Sequence, residues 1–192
     1  MALVLTSGPV VEPVSLAEAK AHLRIDGTAE DTLVGSLIVT SRLHVEAALG
    51  LALVTQGWSY FLDAWPGCPE LGLPLRPVQS VSAVRLYGED ESVETVPADV
   101  YRLDGAANPA RLVRKGGLAW PAPRRTVNSI EIAFTAGYGP AAADVPAPIR
   151  QAILLLVAHW YEHREPVEVG AAHAPVPPMV SELLQPYRRV RL

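Results

Sequence analysis

The sequence predicts an α+β fold, in which a helical core is interrupted by a small antiparallel β module. Apolar residues recur at helical spacing near both ends of the chain, whereas between residues 56 and 139 they alternate with a period of two. The 18 prolines and 14 glycines fall mostly outside the predicted helices, as expected for turns between short strands. We therefore predict that residues 1–55 and 140–192 form the helical core with a C-terminal arm, and that residues 56–139 form an inserted β module.

The N-terminal part of the chain predicts an extended arm followed by two helices. Residues 3–14 contain two prolines and form the arm. Ser15 to Glu18 has the pattern of a capping box, which begins a short helix. Acidic residues near Asp31 favour a second helix start, because the helix dipole attracts negative charge there, and Gly50 is a natural end. The apolar stripe of this second helix is predicted to comprise Leu33, Leu37, Thr40, Ser41, His44, Ala47 and Ala48, widened by Ile38, Val45 and Leu49.

The middle of the chain predicts about five to seven short strands. Trp58, Tyr60 and Leu62 alternate with polar or small residues, as in a half-buried strand. The last strand leads into residues 137–139, Gly-Tyr-Gly. This segment lacks the Lys-Ser/Thr of a phosphate-binding loop, so we interpret it as a turn that requires positive φ.

A long helix is predicted near residues 148–164. Pro148 suits the first turn of a helix, and Pro166 prevents its continuation. The helix is apolar nearly all round, which is typical of a helix buried among other elements. We expect it to pack with the N-terminal helices as the axis of the helical core.

The last turn of this helix contains a possible metal-binding motif, His159-x-x-Glu162-His163. Two histidines four residues apart on a helix can bind one zinc ion, with the glutamate nearby as a general base. A catalytic zinc site needs a third protein ligand, and the acids further along the chain lie in no second helical motif. We therefore predict a structural cluster, with no catalytic residue, metal or cofactor, and keep a metal-dependent hydrolase as an alternative function.

Net charge and cysteine content restrict the function further. A net charge of −4 does not indicate general nucleic-acid binding. A single cysteine, Cys68, and the absence of a signal peptide or a bilayer-length apolar run predict a soluble intracellular protein of a reducing cytoplasm, without membrane contact.

Two basic clusters keep a small DNA-binding module open as another alternative. For the cluster in the tail we favour docking into a groove on another protein. The clusters are Arg111, Arg114, Lys115, Arg124 and Arg125 in the β module, and Arg188, Arg189 and Arg191 at the C-terminus.

The order of these elements resembles the head–tail connector (adaptor) proteins of tailed phages and gene transfer agents. The similarity covers nearly the whole chain and is densest from Phe134 to Glu165, where Phe-Thr-Ala-Gly-Tyr-Gly leads through Val145-Pro146 into the long helix. The resemblance implies a structural protein of the virion or gene transfer agent particle, located at the head–tail junction and assembled in the bacterial cytoplasm.

The resemblance also implies partners. Copies of the protein are expected to form a ring, a dodecamer in the particle, while the isolated subunit can be monomeric. The ring lies between the portal protein and the next stopper or tail connector, and DNA passes through its channel without sequence-specific binding. The C-terminal segment of the family engages the portal, which implies portal contacts by Leu183, Leu184, Tyr187, Arg188, Arg189, Arg191 and Leu192.

Overall fold

The computed structural model describes residues 1–163 and 176–188. Within these residues it contains helices and two antiparallel sheets, which confirms the predicted α+β class. The helices are α1 (Leu16–Leu23), α2 (Asp31–Leu49), α3 (Ala147–Glu162) and α4 (Pro178–Leu184). The strands are β1 (Ala2–Ser7), β2 (Gln56–Leu62), β3 (Glu70–Gly72), β4 (Val78–Tyr87), β5 (Val93–Thr95), β6 (Tyr101–Asp104), β7 (Arg111–Arg114) and β8 (Ile130–Ala136).

The chain divides into two compact units. The β unit comprises Met1–Val10 and Thr55–Tyr138, and the helical unit comprises Val11–Val54 and Gly139–Leu192. The first ten residues therefore lie with the strands, whereas the sequence placed them with the helical core. The reason is that β1 pairs antiparallel with β2, which gives the extended backbone its hydrogen-bond partners.

The β unit contains a five-stranded sheet in the order β1-β2-β8-β4-β5 and a three-stranded sheet in the order β3-β7-β6. Every second residue of β8 faces the hydrophobic core of this unit: Ile130, Ile132 and Phe134 are buried. In the neighbouring strand, Leu86 lies opposite Ile130 and Val84 opposite Ile132. The predicted period of two thus sets one face of the sheet as a hydrophobic core.

A polar cluster lies on the other face of β8, centred on the buried carboxylate of Glu131. Its Oε1 accepts a hydrogen bond from Ser59 at 2.6 Å, and its Oε2 accepts from Tyr87 at 2.6 Å and from Arg85 at 3.1 Å. Burial by itself raises the pKa of Glu131, but these hydrogen bonds and the charge of Arg85 outweigh it and hold the pKa below its ordinary value. The cluster connects the three central strands.

The ends of the N-terminal helices follow local sequence signals. The Ser15 hydroxyl accepts a hydrogen bond from the backbone N–H of Glu18 at 3.2 Å, while the Glu18 carboxylate accepts from the Ser15 N–H at 2.8 Å. This is the predicted capping box. Gly50 ends α2 in the left-handed conformation, with φ of 64°, as the sequence predicts.

The buried side of α2 agrees only in part with the predicted stripe, of which Ile38, Ser41, Val45 and Leu49 are buried. The helix buries Arg42 and Glu46 together with Val34, Ile38 and Val45. Four residues that the sequence assigned to the apolar stripe are instead exposed, namely Thr40, His44, Ala47 and Ala48. Apolar residues lie on both sides of this helix, since Val39 and Leu43 are exposed, and the ion pair of Arg42 with Glu46 lies on the buried side.

An ion-pair network holds α2 within the helical unit. Arg42 donates from Nε to Glu12 at 2.7 Å and from Nη1 to Glu46 at 2.8 Å. The second carboxylate oxygen of Glu46 accepts the backbone N–H of Leu53 at 2.8 Å. The network therefore joins the segment before α1, the middle of α2 and the segment that follows α2.

Helix α3 packs against α1, α2 and α4, as predicted for the axis of the helical core. Ile149, Ile153 and Leu156 are fully buried on it. Leu154 and Leu155 are only partly buried, so α3 is not enclosed on every side. At its N-terminal end, Arg150 donates to the carbonyl of Pro13 at 2.9 Å and pairs with Glu18 of the capping box.

We expect Arg42→Met to lower the free energy of unfolding by about 3 kcal/mol, because the change leaves the Glu46 carboxylate buried without its cation. The side chains of Arg42 and Glu46 are only 8% and 10% exposed. Guanidinium unfolding at neutral pH measures the loss. Arg124→Met is the matched control, because Arg124 pairs with Glu94 where both side chains are about half exposed (48% and 49%). The control should cost less than about 1 kcal/mol, and equal losses in the two variants would contradict a central role for the Arg42 network.

Stability should also depend on the charge of Glu131. Its pKa is lower in the folded chain than its ordinary value of 4.5, so ionised Glu131 stabilises the fold above about pH 4.5. That contribution is lost as the pH falls through the lower folded-state pKa. Unfolding free energies measured between about pH 3 and pH 6 should fall less steeply with acid in Glu131→Gln than in the wild type. Identical slopes would show that Glu131 contributes no pH-dependent stability.

Candidate functional site

The proposed metal motif lies at the C-terminal end of α3 and serves to end the helix. The backbone N–H of His163 donates to the carbonyl of His159 at 3.0 Å, and the His163 Nδ1 lies 2.8 Å from the same oxygen. The two imidazole rings are 4.6 Å apart between centroids. In residues 1–163 and 176–188, no group of three or more His, Cys, Asp or Glu side chains is placed to hold a metal ion.

The aromatic residues between these histidines connect α3 to the N-terminal helices. Trp160 meets His44 of α2 edge to face, with ring centroids 5.6 Å apart. The Tyr161 hydroxyl donates to the carboxylate of Glu30, just before α2. These contacts support a structural role for the end of α3.

The basic cluster of the β module is largely neutralised by nearby acids. Arg111 pairs with Glu70 and, at 2.9 Å, with Asp104. Arg124 pairs with Glu94. Arg125 lies 3.4 Å from the carboxylate of Glu91 and also stacks over the ring of Tyr87, 4.7 Å from the centroid. A DNA phosphate would have to compete with these carboxylates for Arg111, Arg124 and Arg125, which weakens phosphate binding by these three members of the cluster.

The Gly-Tyr-Gly segment is a turn at the end of β8. Gly137 has a φ of 135°, which L side chains rarely adopt. Its N–H donates to the carbonyl of Pro77 at 2.9 Å, and its own carbonyl accepts from the Gln79 side chain at 2.8 Å. This geometry agrees with the sequence interpretation of a turn that requires glycine.

The predicted portal-binding residues begin on α4. Leu184 is buried and Leu183 is partly buried, and α4 packs against α3. A short 3-10 turn follows, in which Tyr187 is half-buried, and Arg188 is exposed beyond it. Arg189, Arg191 and Leu192 lie outside the described residues. The described part of this segment thus has an anchored beginning and an accessible end.

A further surface on α2 was missed by the sequence analysis. We call it the α2 outer face and define it by the exposed residues of that helix, none of which is charged. The sequence signal that would have revealed it is the small number of charged residues in this helix of 19 residues, only Asp31, Arg42 and Glu46. The exposed residues are Thr32, Ser36, Val39, Thr40, Leu43, His44, Ala47 and Ala48.

Comparison with known proteins shows what the chain is similar to. Residues 13–87 match the family described as phage gp6-like head-tail connector protein. A chain in the neck of an empty gene transfer agent (GTA) particle, computed with C6 symmetry, is 29% identical and superposes with a TM-score of 0.84. Chains from the virion of a native GTA particle and from the neck of a native GTA particle computed with C12 symmetry are 28% and 29% identical, with TM-scores of 0.83 and 0.81.

The chain resembles head–tail connector proteins in both sequence and fold. Each structural match covers 100% of this chain and 97% of the other chain, so the predicted resemblance is confirmed over the whole length. The family match falls on α1, α2 and the strands from β2 to β4, rather than on the segment 134–165 that was most similar in the sequence analysis. No curated protein sequence matches the chain significantly.

The matched family and the matched structures are structural components of particles. The helices of residues 1–163 and 176–188 do not combine the length and the apolarity needed to cross a bilayer.

We expect zinc to leave the thermal stability of the protein unchanged. A metal that binds only the folded state raises the melting temperature in proportion to its affinity and concentration. With about a tenfold molar excess of zinc, the melting temperature should stay within about 1 °C of the metal-free value. A clear rise that is abolished by His159→Ala would contradict this and revive the hydrolase alternative.

Proposed function

We propose that the protein is a structural head–tail adaptor of a phage-like particle, located at the junction between the head and the tail. The observation that carries the proposal is the match to chains of GTA necks, which extends over both chains almost completely. At 29% identity and a TM-score of 0.84, the similarity includes both the helical unit and the β unit.

In the particle, copies of the chain form a ring that continues the DNA channel. The matched necks were computed with C6 and C12 symmetry, which supports a rotationally symmetric assembly, and we propose a dodecamer. A closed ring is built from heterologous contacts, so two different surfaces of each copy must be complementary. The subunit can remain monomeric until it meets the portal.

The C-terminal segment is the proposed portal contact. In this arrangement Leu183 and Leu184 anchor α4 to the helical unit, and the accessible residues beyond them contact the portal. Tyr187 supplies an aromatic group at an exposed turn, and arginine is enriched at protein interfaces because its planar guanidinium can both stack and pair with carboxylates. The proposed contacts are Tyr187, Arg188, Arg189, Arg191 and Leu192.

The remaining surfaces contact the next stopper or tail connector and line the channel through which DNA passes. Three arginines of the β unit, Arg111, Arg124 and Arg125, are paired with acids, which supports a channel that lets DNA pass without sequence-specific binding. No reaction chemistry is needed for this role.

The proposal is tested by complementation of a producing strain that lacks the gene. Without the protein, DNA-filled or empty heads and free tails should accumulate without joining, and the wild-type gene should restore tailed particles. Electron microscopy of the particles gives the readout. Normal tailed particles in the deletion strain would contradict the adaptor function.

Binding to purified portal by a chain truncated after Gln185 tests the portal contact. We expect the truncated protein to keep its melting temperature within about 3 °C, since the removed residues follow the anchored part of α4, and to lose binding to purified portal. Arg102→Ala combined with Arg114→Ala removes two cations from the β unit and should leave portal binding intact. Normal portal binding by the truncated chain would contradict the proposed portal contact. It would not contradict the adaptor function, which the complementation experiment tests separately.

A further inference from the structure

We infer that the α2 outer face is the surface by which one copy of this chain binds the next copy in the ring. The inference rests on the proposed adaptor function. A closed ring needs two complementary surfaces on each copy, and the inference assigns the residues of the α2 outer face to one of them. Three observations carry it: the distribution of charge around α2, the apolar centre of its exposed side, and the symmetry of the matched assemblies.

The distribution of charge around α2 is the reverse of that of an ordinary surface helix. A helix on a protein surface normally buries an apolar stripe and directs its charged residues to water. In α2, Arg42 and Glu46 are buried and paired with each other, and Asp31, in the first turn, is partly exposed and paired with Lys20 at 2.5 Å. The side that faces water has no charged residue.

The exposed side of α2 also has an apolar centre. Leu43 is 53% exposed and Val39 is 37% exposed, one turn apart on the same side. Small residues surround them, with Ser36 before Val39 and Ala47 after Leu43. Small side chains allow another backbone to approach closely, and the helix of 19 residues offers a surface about 28 Å long. Such a surface can be desolvated at little cost, since no charge loses its water.

The chemistry of the α2 outer face selects a protein partner over nucleic acid or lipid. DNA is bound through phosphates that need Lys or Arg, and anionic membrane surfaces attract basic amphipathic helices. The α2 outer face has neither cation. The cores of protein interfaces, by contrast, are depleted of charged residues, and permanent interfaces between copies are the most apolar.

Among protein partners, a second copy fits best. The matched necks have rotational symmetry, so each subunit in such an assembly has neighbouring copies along its flanks. The rigidity of α2 suits a contact that repeats around a ring, because the Arg42 network holds the helix from its buried side. The portal contact is assigned to a different part of the chain, the C-terminal segment.

Site-specific photo-crosslinking in assembled particles identifies the occupant. A benzoyl-phenylalanine at position 43 is expected to give a crosslinked species of twice the 20.6 kDa chain, with mass spectrometry showing that both peptides come from this protein. The same group at position 127, on a valine of the β unit that is 62% exposed, is the matched control. A crosslink from position 43 to the portal or another particle protein, or no crosslink in particles that contain the protein, would overturn the inference.

A charge placed on the α2 outer face should block assembly without unfolding the chain. Leu43→Lys keeps a good helix-forming residue at an exposed position, so its melting temperature should change by no more than about 2 °C. We expect at least a tenfold loss of incorporation into particles, because a lysine must then lose its water inside the interface. Val127→Lys should incorporate normally.

The two proposals fail in different ways. If the wild-type protein is absent from particles or its deletion leaves tailed particles intact, the adaptor function is wrong. If the wild type joins heads to tails but Leu43→Lys is folded and incorporated as well as Val127→Lys, the adaptor function stands and the α2 outer face is not the contact between copies.

Discussion

The helical unit depends on the requirement that buried charges be paired. Arg42 lies in the interior of the unit, where an unpaired guanidinium would be very costly, and it is stabilised by Glu12 and Glu46. Because Glu46 also accepts the Leu53 N–H, the same network holds three segments of the chain that are not adjacent in sequence. The rotation of α2 about its own axis is thereby set, since only one rotation places both Arg42 and Glu46 inside.

The rotation of α2 affects both the stability of the helical unit and the surface that is available for assembly. With its charges used in the interior, α2 presents an uncharged side to the solvent, and a surface of this kind is well suited to contact another protein. The β unit uses charge in a similar way, because Glu131 is satisfied by residues of the two neighbouring strands and Arg111 by two acids. Many of the ionic groups of this protein thus maintain its own fold, which is what a structural adaptor between larger assemblies requires.

The sequence predicted correctly those features that depend only on residues close to one another in the chain. The capping box at Ser15 needs only residues three positions apart, and the end of α2 at Gly50 needs only a residue that tolerates positive φ. The His159–His163 cluster lies at the C-terminal end of α3, as Pro166 three residues further on predicts. Predictions that depended on distant partners failed more often: β1 was assigned to the helical core, yet it pairs with β2 more than fifty residues away.

The sequence by itself determined the α+β class, the start of α1 and the end of α2, and the resemblance to head–tail connectors. It also determined the alternating strands of the β unit. Each of these follows from short-range periodicity, from a local capping signal or from the order of elements. Only the tertiary structure decided which side of α2 is buried, that its charged residues lie on that side, and that the first strand joins the sheet. Apolar residues occur on the buried side of this helix, at Val34, Ile38, Val45 and Leu49, and also on its exposed side, at Val39 and Leu43. The hydrophobic pattern therefore does not by itself show that Arg42 and Glu46 are buried, which is possible because they pair with each other and with Glu12.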